Sequence, residues 1–173
     1  MKDAGLCALK FGVESASQEL IDNCDKALNL KVVEKAVKNC KKLGIKTHLT
    51  FTFGQTQQTR KTIKDTIAYA LRLNSYSVQF SLTTPFPGTK YYNLLNEKGL
   101  LLTKDWKKYD GNRYAVIRGE NLSAKALEAG LKEARRIWGI HRQQREFNRH
   151  FSIARASQEN KECKGKIAIV DLL

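Results

Sequence analysis

The feature that most restricts what this chain can fold into is a repeated unit: an amphipathic helix, a closing glycine, then a strand. Between Leu30 and Leu43 the apolar residues Val33, Ala36, Val37, Cys40 and Leu43 recur at helical spacing. Lys41 and Lys42 suit the negative C-terminal end of that helix, and Gly44 stands where a left-handed cap favours glycine. Ile45 to Phe53 then alternates as a strand. A second helix is expected over Thr59 to Leu73, with Ile63, Ile67, Ala70 and Leu71 on one face, followed by a strand at about Ser77 to Thr83. A further helix from about Lys90 to Lys98 stops at Gly99. Met1 to Leu6 parallels Lys41 to Ile45, as the end of a helix, its glycine stop and the first residue of a strand. The chain is therefore expected to start inside a repeating αβ architecture, with its first strand left as an edge. Strands alternating with helices of this length predict right-handed crossovers and a parallel sheet.

Parallel strands covered on both faces read as continuous apolar runs. These strands alternate instead. Leu9, Phe11 and Val13 oppose Lys10, Gly12 and Glu14. Leu49, Phe51 and Phe53 oppose His48, Thr50, Thr52 and Gly54, and Val78, Phe80 and Leu82 oppose Gln79, Ser81 and Thr83. One face suits packing under helices. On the other, unpartnered polar groups would each cost about 1–3 kcal/mol if buried dry, so that face is expected to line a wet ligand cavity. Ligands of α/β sheets and barrels sit at the C-terminal ends of strands, where Glu14, Thr52, Gly54 and Thr83 lie.

Later in the chain the pattern weakens. Asp105 to Gly111 reads as a turn-rich segment and Arg113 to Ile117 as a short strand. Ser123 is a helix cap, and Leu127, Leu131, Ala134 and Trp138 mark a helix to about Arg149. Ile167 to Val170 is a candidate strand. The expected organisation is a half-barrel over 1–100, a mainly helical extension over 101–150 and a divergent tail, a candidate for disorder, over 151–173.

The formal net charge is +14, and between Lys132 and Lys166 ten Lys/Arg accompany only four Asp/Glu. A solvated basic tail accounts for this excess, and without an RNA- or DNA-binding motif nucleic acid is not expected as a partner. No apolar run approaches the roughly 20 residues that span a bilayer, so a cytoplasmic location is expected. Cys7, Cys24, Cys40 and Cys163 stand far apart in sequence, form no local metal-binding pair, and read as buried thiols. His48 reads as a hydrogen-bonded interior histidine, and His141 and His150 as surface residues.

Three strand ends carry the chemistry. Phe11-Gly12-Val13-Glu14-Ser15 ends the first strand, with Ser15 and Gln18 at capping-box spacing for the next helix. Phe51-Thr52-Phe53-Gly54 ends the second, its glycine allowing close approach of a flat ligand. Thr84-Pro85-Phe86-Pro87-Gly88-Thr89 follows the third, a stiff turn that shapes a rim.

Together, Phe11 to Ser17 (FGVESAS), Lys46 to Thr59 (KTHLTFTFGQTQQT) and Gln79 to Tyr92 (QFSLTTPFPGTKYY) resemble the radical SAM superfamily. The likeness is greatest to the branch whose members often carry an N-terminal cobalamin-binding domain, and it covers about Met1 to Trp138. The resemblance implies an α/β fold, a partial (β/α)₆ barrel, of which about three parallel strands with flanking helices and a C-terminal helical extension are present here, as strands four to six. It implies S-adenosylmethionine bound at a [4Fe-4S] cluster and cleaved after one-electron transfer to a 5′-deoxyadenosyl radical that abstracts a substrate hydrogen. It places Glu14, beside Ser15, against polar groups of S-adenosylmethionine around the ribose. It places Phe53 and Gly54 along the adenine and Gln79 and Ser81 toward substrate or cofactor, and it counts Ser15 and Thr52 among the residues that bind S-adenosylmethionine.

The cluster of such proteins needs three thiolates at CxxxCxxC spacing, which these cysteines do not supply. A motif that usually reads GES-G-S has Ala16 for its second glycine. One that usually reads GLPGET here reads Gly54-Gln55-Thr56-Gln57-Gln58-Thr59. The expectation is a split protein, inactive alone, whose missing half-barrel and cluster come from a partner chain, or else a truncated or decaying remnant without activity. No residue is assigned as catalytic or as a metal ligand. Cobalamin is possible for full-length members of the branch and is not expected on this chain. The alternative is a basic nucleic-acid-binding or interaction module without catalysis, with Trp106, Tyr109 and Trp138 near positive residues.

Overall fold

A computed structural model describes residues 2–24 and 26–163, with side chains through Ser152. In chain order the elements are β1 (Ala8–Glu14), α1 (Gln18–Asp22), α2 (Leu30–Lys42), β2 (Lys46–Phe53), α3 (Arg60–Leu73), β3 (Ser77–Leu82), α4 (Lys90–Glu97), one 3₁₀ turn (Trp106–Lys108) and α5 (Ala124–Cys163). The chain divides into two compact units, Met1–Trp138 and Gly139–Leu173, and α5 begins in the first.

The first unit is built on a three-stranded sheet in the order β1-β2-β3, with both pairings parallel, as the alternation of strands and helices predicts. In β2 every second residue is buried. Leu49, Phe51 and Phe53 have no exposed surface, and Phe80 of β3 joins them. The ring of Phe80 stacks between Phe51, at 5.6 Å, and Phe53, at 5.8 Å. Over these rings lie Val33 and Val37 of α2, Ile63, Ile67 and Ala70 of α3, and Leu127, Leu131 and Ala134 of α5, in one apolar cluster. Burying a leucine or phenylalanine side chain contributes about 1.5–3 kcal/mol, so this face holds the unit together.

Local chemistry sets the helix ends. Asn29 caps α2, accepting from the Lys31 amide at 2.9 Å. Thr59 and Thr62 form a reciprocal capping box at the start of α3, and Thr89 caps α4 after the proline turn. The cap of α1 is Ser17, whose Oγ accepts from the Leu20 amide at 3.4 Å, and not Ser15. The Ser15 hydroxyl is spent two residues earlier, accepting from the Ser17 amide at 3.1 Å.

Three further expectations are corrected. Arg113 to Ile117 forms no strand: only Ile117 bridges, antiparallel, to Leu101. Val116 and Ile117 are instead drawn into a second apolar cluster with Leu95 and Tyr109. Next, α5 does not end near Arg149 but runs to Cys163, because residues 150–163 contain neither glycine nor proline. The tail expected over 151–173 is therefore helical as far as it is described, and the candidate strand Ile167–Val170 lies outside the described residues. Finally, Cys40 is buried, but Cys7 and Cys24 are exposed.

In the second unit the helix presents Phe147 and Phe151 to solvent, their rings 6.3 Å apart. The His150 Nδ1 donates to the Glu146 carbonyl at 2.9 Å. Burial and the nearby Arg145 charge hold His141 below the usual histidine range. Among the described residues no helix is long and apolar enough to cross a membrane.

Candidate functional site

The polar face of the sheet has one organised corner, at the C-terminal end of β1. The β1–β2 register slips there: Gly12 pairs with Thr50, but Glu14 pairs with Phe51. Val13 is the extra residue of a bulge, and it drops into the core with no exposed surface. Glu14 takes a left-handed backbone, φ 69°, a conformation that costs a non-glycine residue about 1–2 kcal/mol. Its carboxylate still reaches the polar face, where it meets Thr52.

Both carboxylate oxygens are engaged. Lys26 Nζ donates to Glu14 Oε1 at 2.7 Å and to the Gly12 carbonyl at 2.8 Å. From the other side the Thr52 hydroxyl donates to Glu14 Oε2 at 2.6 Å. The ion pair is partly open to water, with the side chains of Lys26 and Glu14 36% and 24% exposed. Gly12 makes room for it: a Cβ there would lie 2.7 Å from Glu14 Oε1 and 2.9 Å from Lys26 Nζ. The next pairings put Gln79 and Ser81 of β3 beside Thr50 and Thr52 of β2. The Ser81 hydroxyl donates to the Phe51 carbonyl at 3.4 Å, and Gln79 is exposed. At the far end of the same face His48 Nδ1 lies 2.8 Å from Ser77 Oγ.

Of the site residues expected from sequence, Glu14, Thr52, Gln79 and Ser81 therefore share one face. Ser15, Phe53 and Gly54 do not join them. Ser15 is fully buried, with its Oγ 3.5 Å from Thr66 Oγ1. Phe53 points into the core, and its carbonyl accepts from the Thr83 amide at 2.7 Å. Gly54 is buried, not open to a flat ligand. Its amide donates to Gln58 Oε1 at 2.6 Å, and a Cβ would meet Thr83 at 3.4 Å and Ile117 at 3.6 Å. Its φ of 103° is what requires glycine there. Close by in sequence and space, Gln55 Oε1, Gln58 Nε2 and Thr83 Oγ1 are buried without hydrogen-bond partners.

Lys26 is the site residue that periodicity did not reveal. It sits in the irregular segment between α1 and α2, twelve residues from Glu14. The only sequence signal was Gly12, a glycine inside a strand, which marks a close approach.

A carboxylate has about four lone-pair positions. With Lys26 and Thr52 each using one, Glu14 keeps acceptor capacity toward the open side of the sheet. Among the described residues no group of three or more His, Cys, Asp or Glu comes together to hold a metal ion. Among the described residues Cys7, Cys24 and Cys40 do not form a set that fits an iron–sulfur cluster.

No family model matches the chain. It is similar to an uncharacterised methyltransferase of Pyrococcus horikoshii, 35% identical over 109 residues, which are 63% of this chain and 24% of that protein. It is also similar to the bacteriochlorophyllide d C-8(2)-methyltransferase of Chlorobaculum tepidum, 27% identical over 120 residues, 68% of this chain and 26% of that protein. The chain resembles the cobalamin-associated branch of the radical SAM proteins. It spans about a quarter of the length of these two curated relatives. A solved structure of a radical S-adenosylmethionine methyltransferase, TsrM of Kitasatospora setae, with cobalamin and a [4Fe-4S] cluster bound, is 21% identical, with a TM-score of 0.49 over 53% of this chain and 19% of that one. The radical SAM resemblance rests on strand-end motifs, and the corner joins one residue from each of the first two, Glu14 and Thr52.

Proposed function

We propose that this chain is one wall of a radical SAM barrel and that its polar sheet face receives the nucleoside part of S-adenosylmethionine. The observation that carries this reading is the corner at Glu14. A strained backbone, a register slip and three hydrogen bonds together hold one carboxylate on the open face of the sheet. Fixed carboxylate acceptors suit neutral vicinal hydroxyls such as those of a ribose.

In this reading S-adenosylmethionine supplies an adenosyl group for radical chemistry, and the thiolates that hold a cluster come from outside the described residues. Glu14 accepts from the ribose, Thr52 fixes the carboxylate, and Gln79 and Ser81 line the neighbouring strand. The outer side of β3 is met by the Gly111 carbonyl at Leu82 and by Arg135 at Phe80, and the outer position of β1 in the sheet is what supports a partner segment or chain that completes the barrel. Methyl transfer is the reaction class that its relatives favour for the complete protein.

The test is calorimetric titration of the full chain with adenosine, comparing the natural protein with Glu14→Gln. Saturable binding that weakens about tenfold or more in the variant is expected, because a bond to a charged acceptor is lost. Equal affinity in both proteins, or no binding at all, removes Glu14 from the role.

A further inference from the structure

We propose that the part of α5 in the second unit docks a second copy of this chain, by parallel pairing of the two helices in register. The observation is a ridge of side chains at heptad spacing. Ile140, Gln144, Phe147 and Phe151 follow one another at intervals of four, three and four residues. At 3.6 residues per turn they lie within about 60° of one another around the helix axis. Gln144 is exposed, and Ile140, Phe147 and Phe151 are 50%, 68% and 64% exposed. The rings of Phe147 and Phe151 stack at 6.3 Å, so the apolar surface is continuous over that turn. Intervals of four and three are those at which one helix presents a seam to another.

Charge selects the occupant. Arg142, Arg145 and Arg149 lie about 140–200° from Ile140 around the axis, on the side away from the ridge. Arg142 is ion-paired there, its Nε 3.7 Å from Glu146 Oε1. The positions that flank the ridge are His141, Gln143, Asn148 and His150, all formally uncharged at pH 7. An acidic helix would be met by arginines at those flanks, and between residues 140 and 151 none stands there. Two copies of a chain with a net charge of +14 repel each other unless the surfaces that meet carry no charge, and this ridge and its flanks carry none. Gln144 sets the alignment. A single polar residue within a seam favours the register in which it meets a partner that can satisfy it. Its side-chain amide both donates and accepts, so two Gln144 side chains satisfy each other in a parallel pair aligned residue for residue. A lipid surface would bury the same amide without a partner.

The test is sedimentation equilibrium on the full chain, in the natural protein, Phe147→Glu and Arg149→Glu, at concentrations of about 5–200 µM. A seam this short predicts a reversible dimer with a dissociation constant of about 10–100 µM. Phe147→Glu should weaken it about 30-fold or more, as loss of a central aromatic anchor does. Phe147 is exposed, so the unfolding curve of that variant should match the natural one. Arg149→Glu, on the far side of the helix, should leave the dimer intact. Gln144→Cys, oxidised gently, should yield a crosslink between the two copies of position 144, which peptide mass mapping separates from any at Cys7 or Cys24. A natural chain that stays monomeric to about 200 µM overturns the proposal, and so does one that instead sediments only with phosphatidylserine vesicles. A dimer that survives Phe147→Glu overturns it as well, and a dimer without the crosslink at position 144 overturns the parallel alignment.

Discussion

Replacing Phe51 by alanine and, separately, its neighbour Thr52 by valine tests the two-faced sheet directly. Phe51 is completely buried in the central strand. Its ring stacks on Phe80 at 5.6 Å and meets Tyr69 edge-on at 6.5 Å. Truncating a buried phenylalanine to alanine costs about 3–5 kcal/mol. Each aromatic pair is worth about 0.5–1.5 kcal/mol beyond its area, which puts Phe51→Ala near the upper end, about 4–5 kcal/mol. For a unit of this size each kcal/mol moves the melting temperature by about 3–5 °C, so a fall of about 12–25 °C is expected. Thr52 lies one residue on and faces the other way. Thr52→Val removes one hydroxyl bond on a wet face and should cost no more than about 1.5 kcal/mol. Urea unfolding followed by circular dichroism measures both. If the two variants lose similar stability, or Phe51→Ala loses less than about 1.5 kcal/mol, the division into a dry and a wet face is wrong.

Two more outcomes follow from the packing. Burial, with the Glu34 charge adding to it, pushes the Tyr69 phenol up to about 12, from the usual value of 10.0. The folded state therefore holds this proton longer than the unfolded chain does. The contribution to stability is complete below pH 10 and is lost as pH rises toward 12, a fall that Tyr69→Phe should remove from unfolding curves measured across that range. Among the cysteines, exposed Cys7 and Cys24 should label with a thiol reagent well before buried Cys40, as read by peptide mass mapping; simultaneous labelling would place Cys40 outside the core.

The sequence by itself determined the three strands, the helices α2 to α4 and the parity of their side chains, while the strand expected at Arg113 to Ile117 does not form and α5 runs past Arg149. Periodicity is a local property: Val33, Val37 and Cys40 mark one side of α2, and Leu49, Phe51 and Phe53 one side of β2, whatever they later touch. Strand-end motifs likewise pointed to Glu14 and Thr52. Parity also put Phe53 on the dry face, but the fate of Ser15 was decided only by tertiary structure: adjacent to Glu14 in the chain, it is turned into the interior beyond the bulge at Val13. Lys26 carries no periodic signal, because it lies in an irregular loop, and it enters the corner only because α1 and the segment after it fold back over the end of β1. Contacts set by chain reversal depend on the path of the whole backbone, and no local pattern of residues encodes them.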